Sequence, residues 1–305
     1  MTGSPNDVKQ PEAEEIQISV PWGHVSGKWW GPKDEQPVIL LHGWQDNAGS
    51  FDNIVPLLSK DIALLAIDLI GHGRSSHLPA GIFSYAVWDG VCLLRRVVEH
   101  YEWRRIKILG HSLGGAIGFM YASTFPDEVD SLMCLDIVSP TIQDLEETVD
   151  KAPDYVDKFI TYDTSTPGYV PCYDYKEMVD LLIDAYRGSV TRNSAQVLMR
   201  RGAMPAPTPG RYYFSLDPRV KLCPLALLSM DMVMAHASKV RCAYLNIRAI
   251  PGRKYFHPEY YDNVVNEIKR HARKFEYHEV QGTHHVHLNE PGKVAPIINA
   301  FLESL

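Results

Sequence analysis

Residues 108–115 read ILGHSLGG, and within them Gly110-His111-Ser112-Leu113-Gly114 satisfies G-x-S-x-G. The run follows an apolar stretch that reads as a strand and opens one that reads as a helix. A sharp strand-to-helix turn crowds its neighbours, so a glycine on each side of Ser112 leaves its hydroxyl exposed at the sheet edge. A helix-capping serine in a glycine-rich turn is the plainer alternative, but capping requires no flanking glycines. A hydroxyl is a weak nucleophile at neutral pH, so Ser112 implies a base and a third group to orient that base.

The base is sought among histidines, and QGTHHVHLNEP, residues 281–291, holds three of them, His284, His285 and His287. Three imidazoles in four residues also suggest a metal site, since histidine is the commonest nitrogen ligand of zinc. Metal sites usually draw supporting carboxylates from several elements, and a metal would leave the two glycines around Ser112 unexplained. The expectation is therefore no metal and no cofactor, with chelators without effect.

The elements that must position these groups follow from hydrophobic patterning. IQISV (16–20) and VSGKWW (25–30) read as an antiparallel hairpin around Pro-Trp-Gly-His. VILLH (38–42), IALLAID (62–68), IKILG (106–110), LMCLD (132–136) and CAYLNIR (242–248) are continuous apolar runs of the kind buried on both faces of a parallel sheet. Helical stretches such as 85–102 and 113–125 lie between them and are long enough for right-handed crossovers. The class expected is α/β with a mainly parallel sheet covered on both sides, its chemistry at the carboxyl ends of the strands. Between Pro140 and about Lys239 helical patterns dominate, interrupted by the proline-rich MPAPTPG (204–210). This gives a core over 1–139 and 240–305 and an inserted helical segment over 140–239.

Taken together, HGWQDN (42–47), AIDLIGHGRSSH (66–77), GHSLGG (110–115) and GTHHVHLNEP (282–291) resemble the α/β-hydrolases, and within them the serine hydrolase-like proteins. The resemblance covers nearly the whole chain and is weakest in the insertion, which in that family forms a lid. It implies two backbone N–H groups that stabilise a tetrahedral oxyanion, here those of Trp44 and Leu113. A core aromatic is the other reading of Trp44, and both are compatible because the role uses only its amide. The family's G-x-H after the last strand selects His284, leaving His285 and His287 as packing or pocket residues and the final helix opening near Asn289 to Pro291.

The acid is out of its usual place. The family's common G-x-x-D after the seventh strand corresponds here to NIRAIPGRKYFHP, where Tyr255 stands three past Gly252 and no carboxylate occurs between Leu245 and Pro258. Tyrosine carries no negative charge near neutral pH. Some relatives, haloalkane dehalogenases among them, place the acid after the sixth strand instead, and this chain has Asp136 there, 24 residues past Ser112. A carboxylate after an apolar strand is costly to bury unpaired, so Asp136 requires a hydrogen-bonding partner. Asp68 is the rival acid but resembles the family's structural turn. Ser112, Asp136 and His284 then follow in the chain order of this fold class.

Bulk properties narrow the partners. With 305 residues, 45% hydrophobic and 22% charged, the chain has a globular composition, and a net charge of −7 without basic runs excludes a nucleic-acid footprint. No segment approaches the roughly 18 apolar residues of a membrane span, and the polar, acidic start lacks the form of a secretory signal. Five scattered cysteines without a CxxC pair suggest a reducing compartment, most simply the cytoplasm; Glu303-Ser304-Leu305 lacks the basic residue of the peroxisomal SKL signal. LLSMDMVMAH (227–236) and RYYFSLDP (211–218) could line an apolar small-molecule pocket or pack the insertion onto the core. The sum is a serine hydrolase acting on an ester or related acyl bond. A ligand-binding protein on the same fold, or a carbon–carbon bond hydrolase using the same triad, is the alternative. Epoxide hydrolase and dehalogenase chemistry are disfavoured, because the relatives that perform it use aspartate where Ser112 stands.

Overall fold

The computed structural model describes residues 12–82, 86–142, 145–164, 171–225, 228–253 and 258–305. Tyr255, the first eleven residues and Leu227 lie outside the described residues. Eight strands form one sheet: β1 (Glu14–Val20), β2 (Gly23–Trp30), β3 (Val38–Leu41), β4 (Leu64–Ile67), β5 (Ile106–His111), β6 (Val129–Leu135), β7 (Ala243–Pro251) and β8 (Lys274–Gly282). Their order is β1-β2-β4-β3-β5-β6-β7-β8. β1 and β2 pair antiparallel, β2 meets β4 antiparallel, and β4 through β8 are parallel.

Alternation along β3 shows why the apolar runs are continuous. Ile39 and Leu41 enter one hydrophobic cluster, while Val38 and Leu40 enter another on the opposite face. The first cluster includes Val91, Leu94 and Val98 of α1 (Val87–His100) and Ile117, Phe119 and Met120 of α2 (Leu113–Thr124). The second is closed by Phe51, Ile54, Ile298 and Phe301. Every residue of α2 from Gly114 to Ser123 is buried, so this helix is sealed on all sides behind its first turn.

Between β6 and β7 come α3 (Leu145–Thr164), α4 (Tyr175–Ala185), α5 (Arg192–Gly202) and α6 (Met230–Ala237). The proline-rich stretch does more than interrupt helices: Ala203–Pro205 and Tyr212–Phe214 pair as a small antiparallel ribbon. Prolines lack the N–H that a helix needs, and the aromatic run after Gly210 suits an extended strand. Helices α4 and α5 share a small core of Met178, Val179, Leu182, Val197 and Leu198, which also takes in Leu288 from the chain's last segment. Tyr212 and Phe214 pack against this core, and Met230 and Met234 against the main one, so most of the soft and aromatic side chains of the insertion serve packing. Arg201 of α5 is buried and bonds Asp68 and Glu15, tying the insertion to the sheet. Asp68 also accepts the amides of Ala48 and Arg74, which makes it the organiser of a turn.

After β7 the chain forms α7 (Pro258–His271), and after β8 it forms α8 (Val286–Asn289) and α9 (Ala295–Glu303). The closing helical segment therefore begins at Val286, earlier than expected, as a single turn that breaks at Pro291 before α9. Among the described residues no helix is long and apolar enough to cross a membrane.

Candidate active site

Ser112 joins β5 to α2 with φ 49° and ψ −115°, a strained conformation for a residue with a side chain. Its glycine neighbours are required by contact. A Cβ on Gly114 would lie 1.9 Å from the carbonyl oxygen of Leu41, and one on Gly110 would lie 2.4 Å from the Gly115 amide. Helix α2 therefore starts hard against the end of β3, and this closeness forces the turn.

Asp136 follows β6 directly, also at positive φ (50°), and is fully buried. Its Oδ2 accepts from His284 Nδ1 at 2.6 Å and from the Arg253 amide at 2.8 Å, while Oδ1 accepts the Ala249 amide at 2.9 Å. β7 and the turn after it, which hold no carboxylate, thus supply N–H groups to an acid borne by the neighbouring strand. Gly252 permits this approach: a Cβ there would fall 2.7 Å from Asp136 Oδ1. Burial pushes the Asp136 carboxyl up to about 7, against the pull of those two amides and of Arg253 and Arg248. Burial, then the nearby His111, His285 and Arg253, holds His284 well below the usual histidine range, so its ring is neutral near pH 7.

Ser112 and His284 meet through their neighbours. His111, the residue before Ser112, donates from Nε2 to the carbonyl of His284 at 2.9 Å, and the rings of His111 and His284 lie 4.7 Å apart. Among the hydrogen bonds of the described residues none joins Ser112 Oγ to His284, and neither the Trp44 nor the Leu113 amide has an acceptor. Trp44 is 42% exposed and its ring donates from Nε1 to the Val220 carbonyl in the insertion at 2.9 Å, so it is no core aromatic.

His285 and His287 are not simply packed. Both are buried in a polar network centred on Asp46, which the sequence reading overlooked within HGWQDN. Asp46 Oδ1 accepts Tyr186 Oη at 2.6 Å and His285 Nε2 at 3.3 Å; Oδ2 accepts Ser50 Oγ at 3.3 Å, and Ser50 bonds His287 Nε2 at 2.9 Å. His285 Nδ1 meets Ser189 Oγ of the insertion at 2.7 Å. Burial opposes the Asp46 charge, but the attraction of His285 and His111 holds its carboxyl well below the ordinary range. The sequence signals for this network are an aspartate two residues past the proposed oxyanion tryptophan and a histidine beside the nucleophile.

Residues 36–170 match the family model described as alpha/beta hydrolase fold. The chain is 48% identical to a probable serine hydrolase of Drosophila melanogaster over 95% of this chain and 88% of that one. It is 32% identical to the human serine hydrolase-like protein 2, covering 95% of this chain and 94% of the relative. A crystal structure of a hypothetical protein from Pseudomonas aeruginosa PAO1 superposes with a TM-score of 0.81 at 28% identity, covering 95% and 99% of the two chains. With that sheet order, a serine at the β5–α2 turn and relatives alike over almost their full length, the chain belongs to the α/β-hydrolases, among the serine hydrolase-like proteins.

Proposed function

We propose that the protein cleaves carboxylic esters or related acyl compounds through Ser112, His284 and Asp136. The observation that carries this reading is the 2.6 Å bond between His284 Nδ1 and the buried Asp136, on a loop adjoining the Ser112 turn. With Nδ1–H held by the carboxylate, Nε2 is left with its lone pair and can take the Ser112 proton. Ser112 Oγ attacks the carbonyl carbon, and the amides of Trp44 and Leu113 receive the developing oxyanion. His284 then protonates the leaving alcohol, and water, activated by the same imidazole, releases the acid and restores Ser112. Asp136 holds the tautomer and stabilises the imidazolium while it lasts.

The insertion serves as a cap over this edge, and residues 1–139 with 240–305 form the catalytic core. Support comes from the bonds that join the insertion to catalytic loops, such as Trp44 to Val220, and from the shared α4–α5 core that takes in Leu288. The exposed Trp44 ring favours an apolar acyl group. Free thiols at Cys92, Cys134, Cys172 and Cys242 favour a cytoplasmic setting.

A fluorophosphonate probe tests the reading. Purified protein is labelled stoichiometrically, and Ser112→Ala abolishes labelling while the fold persists. A folded wild type that resists the probe would sink the proposal.

A further inference from the structure

Behind the Asp136–His284 pair, three ligand atoms of different residues converge: an Asp46 carboxylate oxygen and one ring nitrogen each from His111 and His285, all within 4.8 Å of one another and all buried. We infer that Asp46, His111 and His285 form a binding site for a divalent transition metal of the zinc class, and that its occupancy inhibits the enzyme. The binding stands apart from the esterase reading; the inhibition rests on it.

The protons of the site argue for a cation. His111 Nε2 faces the His284 carbonyl, which can only accept, so Nε2 carries the hydrogen and Nδ1 of the neutral ring holds a lone pair. That Nδ1 is buried without a hydrogen-bond partner and points a lone pair into a space 3.4 Å from Asp46 Oδ2. Two acceptors facing each other in a dry interior repel, and a cation between them removes the repulsion. Among the described residues Asp46 pairs with no lysine or arginine, so its negative charge is met only by imidazoles and hydroxyls.

The spacing also suits zinc. Ligands about 2.1 Å from a tetrahedral ion stand about 3.4 Å from one another. His111 Nδ1 to Asp46 Oδ2 is 3.4 Å and His285 Nε2 to Asp46 Oδ1 is 3.3 Å, one imidazole on each carboxylate oxygen, and one ligand atom from each of the three residues lies within 4.8 Å of the others, so a small inward movement brings them onto one ion. The outer contacts are those that metal-bound imidazoles use, with the far nitrogen of His111 on a backbone carbonyl and that of His285 on the Ser189 hydroxyl. On binding, the His285 proton moves from Nε2 to Nδ1 and Ser189 Oγ turns from donor to acceptor. The His285 Nε2–Asp46 Oδ1 hydrogen bond gives way to bonds from both groups to the ion. Gly43 keeps the space open, since a Cβ there would lie 2.7 Å from His111 Nδ1 and 3.0 Å from Asp46 Oδ2.

Inhibition follows from position. His111 is joined by one peptide bond to Ser112 and His285 by one to His284, so drawing the two imidazoles onto an ion shifts both neighbours. The ion also adds positive charge close to the ring that must take up the Ser112 proton, which opposes that step.

The experiment uses the full chain, stripped with chelator and then titrated with Co²⁺ and with Zn²⁺. One equivalent of Co²⁺ binds with the visible absorption of a low-symmetry His/carboxylate site, and Zn²⁺ displaces it. Asp46→Asn and His285→Gln each abolish the absorption, whereas His100→Gln and His271→Gln, on exposed surface, retain it. Zinc raises the wild-type Tm, a readout that needs no variant. Zinc also slows fluorophosphonate labelling at least tenfold in the wild type and leaves the rate in Asp46→Asn unaffected. A wild type that neither develops the absorption nor gains Tm overturns the site, as does absorption that survives in both folded variants. Binding without slower labelling overturns the inhibition. Absence of labelling before any metal is added counts against the esterase reading alone.

Discussion

Two carboxylate–imidazole groups lie side by side in this molecule and are built on opposite plans. Asp136 takes two backbone amides and an imidazole at 2.6 Å, and these three partners come from β7, the turn after it and the turn after β8. Asp46 takes only side chains, at 2.6–3.3 Å, and one of them, Tyr186, comes from the insertion. Backbone donors on adjacent strands hold a carboxylate at a set angle, as an orienting acid requires. Side-chain donors can rearrange, so the Asp46 group adapts to how the insertion docks or to an ion. His284 and His285 are consecutive, yet they serve different groups because both lie in the turn that leads into α8.

Four changes test that contrast. The largest effect is expected from Asp136→Asn, which keeps the shape but offers His284 the wrong tautomer: kcat for a chromogenic ester falls by about 10⁴-fold. A rate within tenfold of wild type would show that the 2.6 Å bond is structural only.

Acid comes next and acts on both groups through stability. Burial lowers His42 to about 4 and His72 to about 3, and His111, His284 and His287 move the same way. Below about 6.5 the unfolded chain takes up protons that the folded chain refuses, so stability is lost as pH falls. At pH 5 the loss is about 2 kcal/mol each for His42 and His72. Asp136, raised to about 7, works in the opposite sense and offsets about one of them. Urea midpoints measured from pH 7.5 to 5 should decline steadily; a flat profile would contradict neutral buried histidines.

Smaller effects are expected in the adaptable group. Asp46→Asn turns an amide NH₂ toward groups that donate, and unfolding in urea should show a loss of about 1–3 kcal/mol. Tyr186→Phe removes one donor from the same carboxylate and should cost about 0.5–1.5 kcal/mol by the same measurement. If Tyr186→Phe proved as damaging as Asp136→Asn is to turnover, the division between a fixed and an adaptable carboxylate would fall.

Much of this is legible in the sequence. The unbroken apolar runs at 38–42, 62–68, 106–110, 132–136 and 242–248 are strands because only a sheet covered on both faces buries such runs, and all five form. The Ser112 turn was legible from its glycines, since no other residue tolerates backbone oxygen at about 2 Å from a Cβ position. The absence of a carboxylate after β7, together with Asp136 after β6, could be read directly from the chain.

The partnerships were decided in three dimensions. That the β7 segment donates Ala249 and Arg253 amides to Asp136 depends on β6 and β7 being neighbours in the sheet, which residue spacing does not encode. Asp46, Tyr186, Ser189, His111 and His285 come from four separated segments, and none carries a mark of the others in its local sequence. Local pattern determines which segments become strands, helices and tight turns, because those follow from side-chain periodicity and backbone sterics. Which buried polar groups face one another depends on how the insertion docks on the core, and only the packed chain sets that.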